Sequence, residues 1–63
     1  MIDRIIITID TTNAAFEDDF AGEASRILRE LADDIEGGFT ISSRLFDANG
    51  NAVGNVKYER NLK

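Results

Sequence analysis

Any chemistry performed by this 63-residue chain has to rest on carboxylates, because it contains no histidine and no cysteine. The first absence removes the commonest general base and the commonest transition-metal ligand. The second removes disulfides, thiolate metal sites and thiol nucleophiles, and leaves the redox compartment open. Five of the twelve acidic residues lie in or near the stretch NAAFEDDFAGE: Asp10, Glu17, Asp18, Asp19 and Glu23. Acid–base catalysis by paired carboxylates needs one of them held in an apolar pocket beside a substrate cleft. The sequence-adjacent pairs Asp18–Asp19 and Asp33–Asp34 are expected to be solvated instead. A magnesium site built from Asp10, Glu17 and Asp18 is chemically allowed, since hard cations take oxygen ligands, but the pattern is generic. Asp47, Asn49 and Asn51 have the D-x-N-x-N spacing that opens a calcium loop. An EF-hand also needs glycine at loop position six and glutamate at position twelve, where this chain has Ala52 and Tyr58, so a plain hairpin turn is the preferred reading. There is no glycine-rich phosphate loop, no Ser-His-Asp set and no P-loop lysine. The residues therefore predict a protein that is not an enzyme and carries no cofactor and no metal.

Twelve acidic against seven basic side chains give a net charge of -5. Direct nucleic-acid binding is disfavoured, because phosphate recognition rests on clustered Lys and Arg. A basic protein partner would be attracted; a surplus of this kind also serves solubility alone. The apolar run that begins at Ile5 is far too short for a membrane span or a signal-peptide core, so no membrane association and a cytoplasmic location are expected.

These side chains must be positioned by a single domain, since 63 residues cannot be cut into two cores. Residues 2–9, IDRIIITI, alternate as a strand, with Ile5, Ile7 and Ile9 on one side and Ile2, Arg4, Ile6 and Thr8 on the other. From Phe20 the period becomes helical: Phe20, Ala24, Ile27, Leu28, Leu31 and Ile35 form one stripe, and Gly37 and Gly38 supply the stop. A helix over about 19–36 follows. Asp18 or Asp19 stands at its N-cap and Glu23 near the positive end of its dipole, so at least two of the five acids have a structural reason to be there. Thr11, Thr12 or Asn13 could cap a further single turn at AAFED, turning Phe16 into the core beside Phe20. On the outer face, Arg26 can pair with Glu30 or Glu23, and Arg29 with Asp33.

After the glycines, two strands flank Asn49-Gly50, the strongest two-residue hairpin signal. A type I′ turn there pairs Leu45 with Gly54, Ser43 with Val56, Ile41 with Tyr58 and Phe39 with Arg60, which gathers the apolar residues on one face. A three-residue loop would slip the register by one and set Lys57 and Glu59 on that face. The architecture expected is α+β: one β-α-β-β domain, with a helix on a three-stranded, mainly antiparallel sheet of order 1-3-2, or alternatively 3-2-1. Strand 2–9 is an edge in either order.

One helix can cover only one side of the sheet. The open face is then expected to carry Ile2, Arg4, Ile6, Arg44, Phe46 and Val53, either as scattered exposed residues or as a surface for a homodimer or another protein. Two interaction readings result. In the first, Asp10, Glu17, Asp18, Asp19, Glu23, Glu30, Asp33 and Asp34 form an acidic helix and loop surface for a basic, nucleic-acid-binding protein. In the second, the chain is a small homo-oligomeric accessory or structural subunit that works through the open sheet face and the edge strand.

The strand ending IDTTNAAFEDD, the helix EASRILRELADDIEGG and the hairpin DANGNAVG together resemble small acidic proteins encoded by bacteriophages and prophages. The resemblance spans roughly residues 4–56. It carries no catalytic residue over to this chain. It implies a setting in which compact acidic proteins bind host machinery, including inhibitors of CRISPR–Cas complexes and other nucleic-acid-handling enzymes. One departure is Phe20, where proline would suit the first helical position; phenylalanine there predicts extra apolar burial.

Overall fold

A computed structural model describes residues 2–38 and 43–60. Strand β1 (Arg4–Ile9) leads into a one-turn helix α1 (Ala14–Asp18), the main helix α2 (Phe20–Glu36), and the strands β2 (Ser43–Phe46) and β3 (Ala52–Glu59). The sheet order is β1-β3-β2 with both pairings antiparallel, so β1 is an edge as expected and the order 3-2-1 is excluded. No helix among the described residues is long and apolar enough to cross a membrane.

Helix α2 starts where its cap chemistry puts it. The Asp19 carboxylate accepts from the Gly22 N–H at 3.1 Å, satisfying a donor that has no partner within the helix. At the other end Gly37 is still right-handed, and the left-handed residue is Gly38, with φ +93°. The glycine pair was the right stop signal, one position later than the first glycine. Helix α1 forms at AAFED, with Asn13 at its cap position but without a side-chain cap bond. It drives Phe16 into the core.

The core lies at the hairpin end of the molecule, where Phe16, Ile27, Leu45 and Val53 pack together with Ile9 and Ala24 against them. Leu31 and Val56 are also buried. The helix does not reach across β1. Ile5 and Ile7, expected beneath it, are 46% and 43% exposed, and Leu28 of the apolar stripe is exposed too. Phe20 is 59% exposed; it touches Phe16 through tilted rings 6.5 Å apart and gains no deep burial.

The hairpin turn corrects the sequence reading. Only glycines have positive φ among the described residues, so Asn49 cannot occupy a type I′ turn. Gly50 N–H instead donates to Asp47 C=O, and Asp47 N–H to Asn51 C=O, closing a three-residue loop of Ala48, Asn49 and Gly50. Phe46 consequently faces Ala52, one residue out of the expected register. A bulge between Leu45 and Phe46 absorbs the slip, and from there Leu45 pairs with Gly54 and Ser43 with Val56 as expected. The extra residue is Val53. It is 6% exposed, in the core, and so does not belong to the open face. The expected pairs Ile41–Tyr58 and Phe39–Arg60 lie outside the described residues.

Gly54 follows the bulge directly. A Cβ there would run into the Thr8 carbonyl oxygen of β1, so only glycine allows the two strands to approach at this point.

Candidate functional site

The acidic residues divide into two populations with different surroundings. The first is a polar clasp where α2 meets the hairpin. Glu23 lies on the core side of α2, in line with Ile27 and Leu31 at steps of four, and is 8% exposed. Its carboxylate accepts from Arg26 Nε and Nη2 at 3.1 and 3.0 Å and from the Ala48 N–H at 2.8 Å. Arg26 extends the clasp, donating to Phe46 C=O at 3.2 Å and to Glu30 at 2.7 Å. The Arg26 bonds hold the Glu23 carboxyl below its ordinary value; burial opposes them and the Ala48 bond assists. Arg26 is correspondingly raised, by the Glu23 bond first.

Asp47, 5% exposed, is the second centre of the clasp. One oxygen accepts from the Asn49 and Asn51 N–H groups at 2.9 and 2.8 Å, and the other from the Asn13 amide at 2.9 Å. Burial pushes its carboxyl up, and the bonds from Asn51, Asn13 and Asn49 outweigh that and leave it lowered. The D-x-N-x-N spacing is thus an internal turn network: the oxygens a cation would need are occupied by amide donors. Among the described residues no three carboxylates gather into a metal-binding set, so Asp10, Glu17 and Asp18 do not form the magnesium site that their types allow. Asp10 makes a local turn, accepting from Thr12 N–H and Oγ1 at 3.0 and 2.8 Å; the Thr12 hydroxyl is the main reason its carboxyl is lowered.

Glu23 and Asp47 are internal structural groups, and Glu23 is therefore removed from the expected acidic surface. Glu17, Asp18 and Asp19 are exposed around the junction of the two helices, where Asp19 has its capping task. The second population lies at the far end of α2. Asp33, Asp34 and Glu36 are exposed, and the last turn contains no basic residue. Arg29 and Asp33 form no ion pair, although their spacing permits one. Carboxylates at a helix C-terminus face the negative end of the dipole, which costs roughly 0.3–1 kcal/mol each. Folding does not explain them. Glu36 was absent from the expected surface, yet the same reasoning that places Asp33 and Asp34 there includes it.

The expected sheet-face residues are likewise dispersed. Arg4 is exposed and lies 3.6 Å from Glu59 across the β1–β3 pair. Ile6, Arg44 and Phe46 are exposed, Ile2 is half-buried and Val53 is in the core. The apolar surface that sequence reasoning missed is on the helix side of β1, where Ile5 and Ile7 are exposed and Ile5 shares a hollow with Ile2, Ile35 and Tyr58, rimmed also by Asp3 and Arg4. The buried Tyr58 hydroxyl has no hydrogen-bond partner among the described residues. No protein-family model matches the chain. Nor does any curated protein or solved structure.

Proposed function

We propose that this is a non-catalytic interaction protein that docks a basic, nucleic-acid-handling protein through the outer, C-terminal part of α2, and inhibits or modulates that partner by occupying the surface where nucleic acid would lie. The observation that carries this reading is the placement of Asp33, Asp34 and Glu36 against the negative end of the helix dipole with no basic residue in the last turn. Glu30, also exposed, extends the surface by one turn. At the other end Asp10 and Asp19 have local tasks, in a turn and at a cap, and with exposed Glu17 and Asp18 they enter the contact only as a fringe. A negative surface of this kind steers a positive groove into contact and competes with phosphate for it. The bacteriophage setting implied by the sequence resemblance suits such a role, with host complexes of the CRISPR–Cas type as targets.

The test is capture of partners from bacterial lysate on immobilised protein, followed across a salt series. Capture should weaken as ionic strength rises and disappear with Asp33→Lys combined with Asp34→Lys. A captured protein retained by that variant, or held equally at low and high salt, would reject the acidic surface as the docking site.

A further inference from the structure

We propose that β1 pairs antiparallel with β1 of a second copy of this chain, about a two-fold axis through Ile7, to form a continuous six-stranded sheet with both α2 helices on one side. This goes beyond the acidic-surface reading and stands independently of it.

The backbone supplies the first requirement. Asp10 N–H donates to Val53 C=O, and alternation along an antiparallel ladder then turns the even-numbered residues of β1 toward β3. The N–H and C=O groups of Ile5, Ile7 and Ile9 therefore point to the outer edge, where no strand lies among the described residues. Natural edges are blunted with inward charge, proline or a bulge; the interior of β1 is Ile-Ile-Ile-Thr and has none of these.

The side chains supply the second requirement. Glu23, Arg26 and Glu30 lie on the flank of α2 that faces the hairpin, because they bond to Ala48, to Phe46 and to one another. Leu28 and Ile35, seven residues apart, occupy the opposite flank, over the β1 side, where Ile35 shares a hollow with Ile5. Exposed Leu28, Ile5 and Ile7 thus make an apolar strip along the open edge. A two-fold copy sets an identical strip against it.

Charge selects the register. A two-fold axis normal to the sheet pairs residues whose numbers have a constant, even sum. Centring on Ile7 places Ile7 against Ile7 and Ile5 against Ile9 as hydrogen-bonded pairs on the helix side, and Arg4 against Asp10 at both ends on the other side. Centring on Ile6 instead sets Arg4 against Thr8 and Asp3 against Ile9, and centring on Thr8 sets Ile6 against Asp10. Only the Ile7 register joins opposite charges, and directly opposed charges of unlike sign favour a pairing as like charges oppose it.

Single cysteines test both the partner and the register, because the natural chain has none. In the Ile7 register Ile6 faces Thr8 of the other copy as a non-hydrogen-bonded pair with Cα atoms about 4.5 Å apart, within disulfide reach. Mixing Ile6→Cys with Thr8→Cys under oxidation should give the mixed covalent dimer in preference to either homodimer. A homodimer of Ile6→Cys or of Thr8→Cys as the dominant product would overturn the register. Sedimentation of the natural chain as a monomer at high micromolar concentration, with no crosslink from the mixture, would overturn the dimer altogether. Arg4→Asp should weaken the dimer about tenfold or more, because it sets two carboxylates face to face at each end. Adding Asp10→Arg should restore it. These readouts do not involve a basic partner, so their failure leaves the acidic surface to its own test.

Discussion

The hairpin end and the β1 edge of this molecule are built from similar materials, yet they are finished differently. At the hairpin end the apolar side chains Phe16, Ile27, Leu45 and Val53 close on one another, and the two buried carboxylates, Glu23 and Asp47, have donors for their oxygens. At the β1 edge three isoleucines in a row remain exposed, Leu28 on the helix is exposed too, and the buried Tyr58 hydroxyl has no hydrogen-bond partner among the described residues. Helix α2 is fastened at one end by the Glu23 clasp, and its far end bears carboxylates that its own dipole disfavours. A chain this short buries too little surface to complete both regions. The contrast separates groups that fasten the fold from groups left exposed, which are the ones the proposed contacts would use.

The sharpest way to break the contrast is to empty the finished end. Phe16→Ala should cost about 3–5 kcal/mol, most or all of the stability expected of so small a domain, and the variant should show no cooperative transition in urea. Removing the clasp comes next. Glu23→Ala removes the acceptor of Arg26 Nε and of the Ala48 N–H together, and should lower the melting temperature more than Asp33→Ala or Asp34→Ala, whose carboxylates have no side-chain hydrogen bond or ion pair among the described residues.

Acid should loosen the same end. The folded Glu23 and Asp47 carboxyls sit below their ordinary 4.5 and 3.8, so the unfolded chain takes up protons first as pH falls. Their contribution is complete above the unfolded values and is lost progressively as pH drops through those values toward the folded ones. Denaturation followed from pH 7 to pH 2 should show stability declining below about pH 5, with a shallower decline in Glu23→Gln.

The smallest effects should come from the unfinished end. Asp34→Lys should raise stability by about 0.3–1 kcal/mol, since a cation at the helix C-terminus suits the dipole, while impairing capture of a basic partner. Ile7→Ser should change the stability of dilute, monomeric protein by no more than about 0.5 kcal/mol, as surface substitutions do. If either change destabilised the isolated monomer as Glu23→Ala does, the division between folding groups and contact groups would fail.

Much of the fold was legible along the chain because its signals are local. The four-residue steps from Phe20, the Asp19 cap and the Gly37-Gly38 stop define α2 within its own segment, and two-residue alternation defines β1. The hairpin was legible only in part. Asn-Gly suggested a two-residue turn, whereas Asp47 at the first position and Gly50 at the fourth are also the signature of a type I turn. In the structure that second signal prevails: the Asp47 carboxylate accepts from the Asn49 and Asn51 N–H groups, and neither Ala48 nor Asn49 has the positive φ of the type I′ turn. Glu23 was likewise readable: it stands four before Ile27 and eight before Leu31, on the stripe that faces inward.

By itself the sequence determined the elements, their order and the edge position of β1, since periodicity, caps and hairpin adjacency are set by neighbours in the chain. Only the tertiary structure decided which half of the sheet α2 covers, that Val53 turns inward through a bulge, and which acids are internal. Those outcomes depend on contacts between Glu23 and Ala48, Asn13 and Asp47, and Gly54 and Thr8, residues 25 or more positions apart. Which of the competing contacts prevails is settled only when the segments are packed together, because each excludes the others by volume and by hydrogen-bond demand.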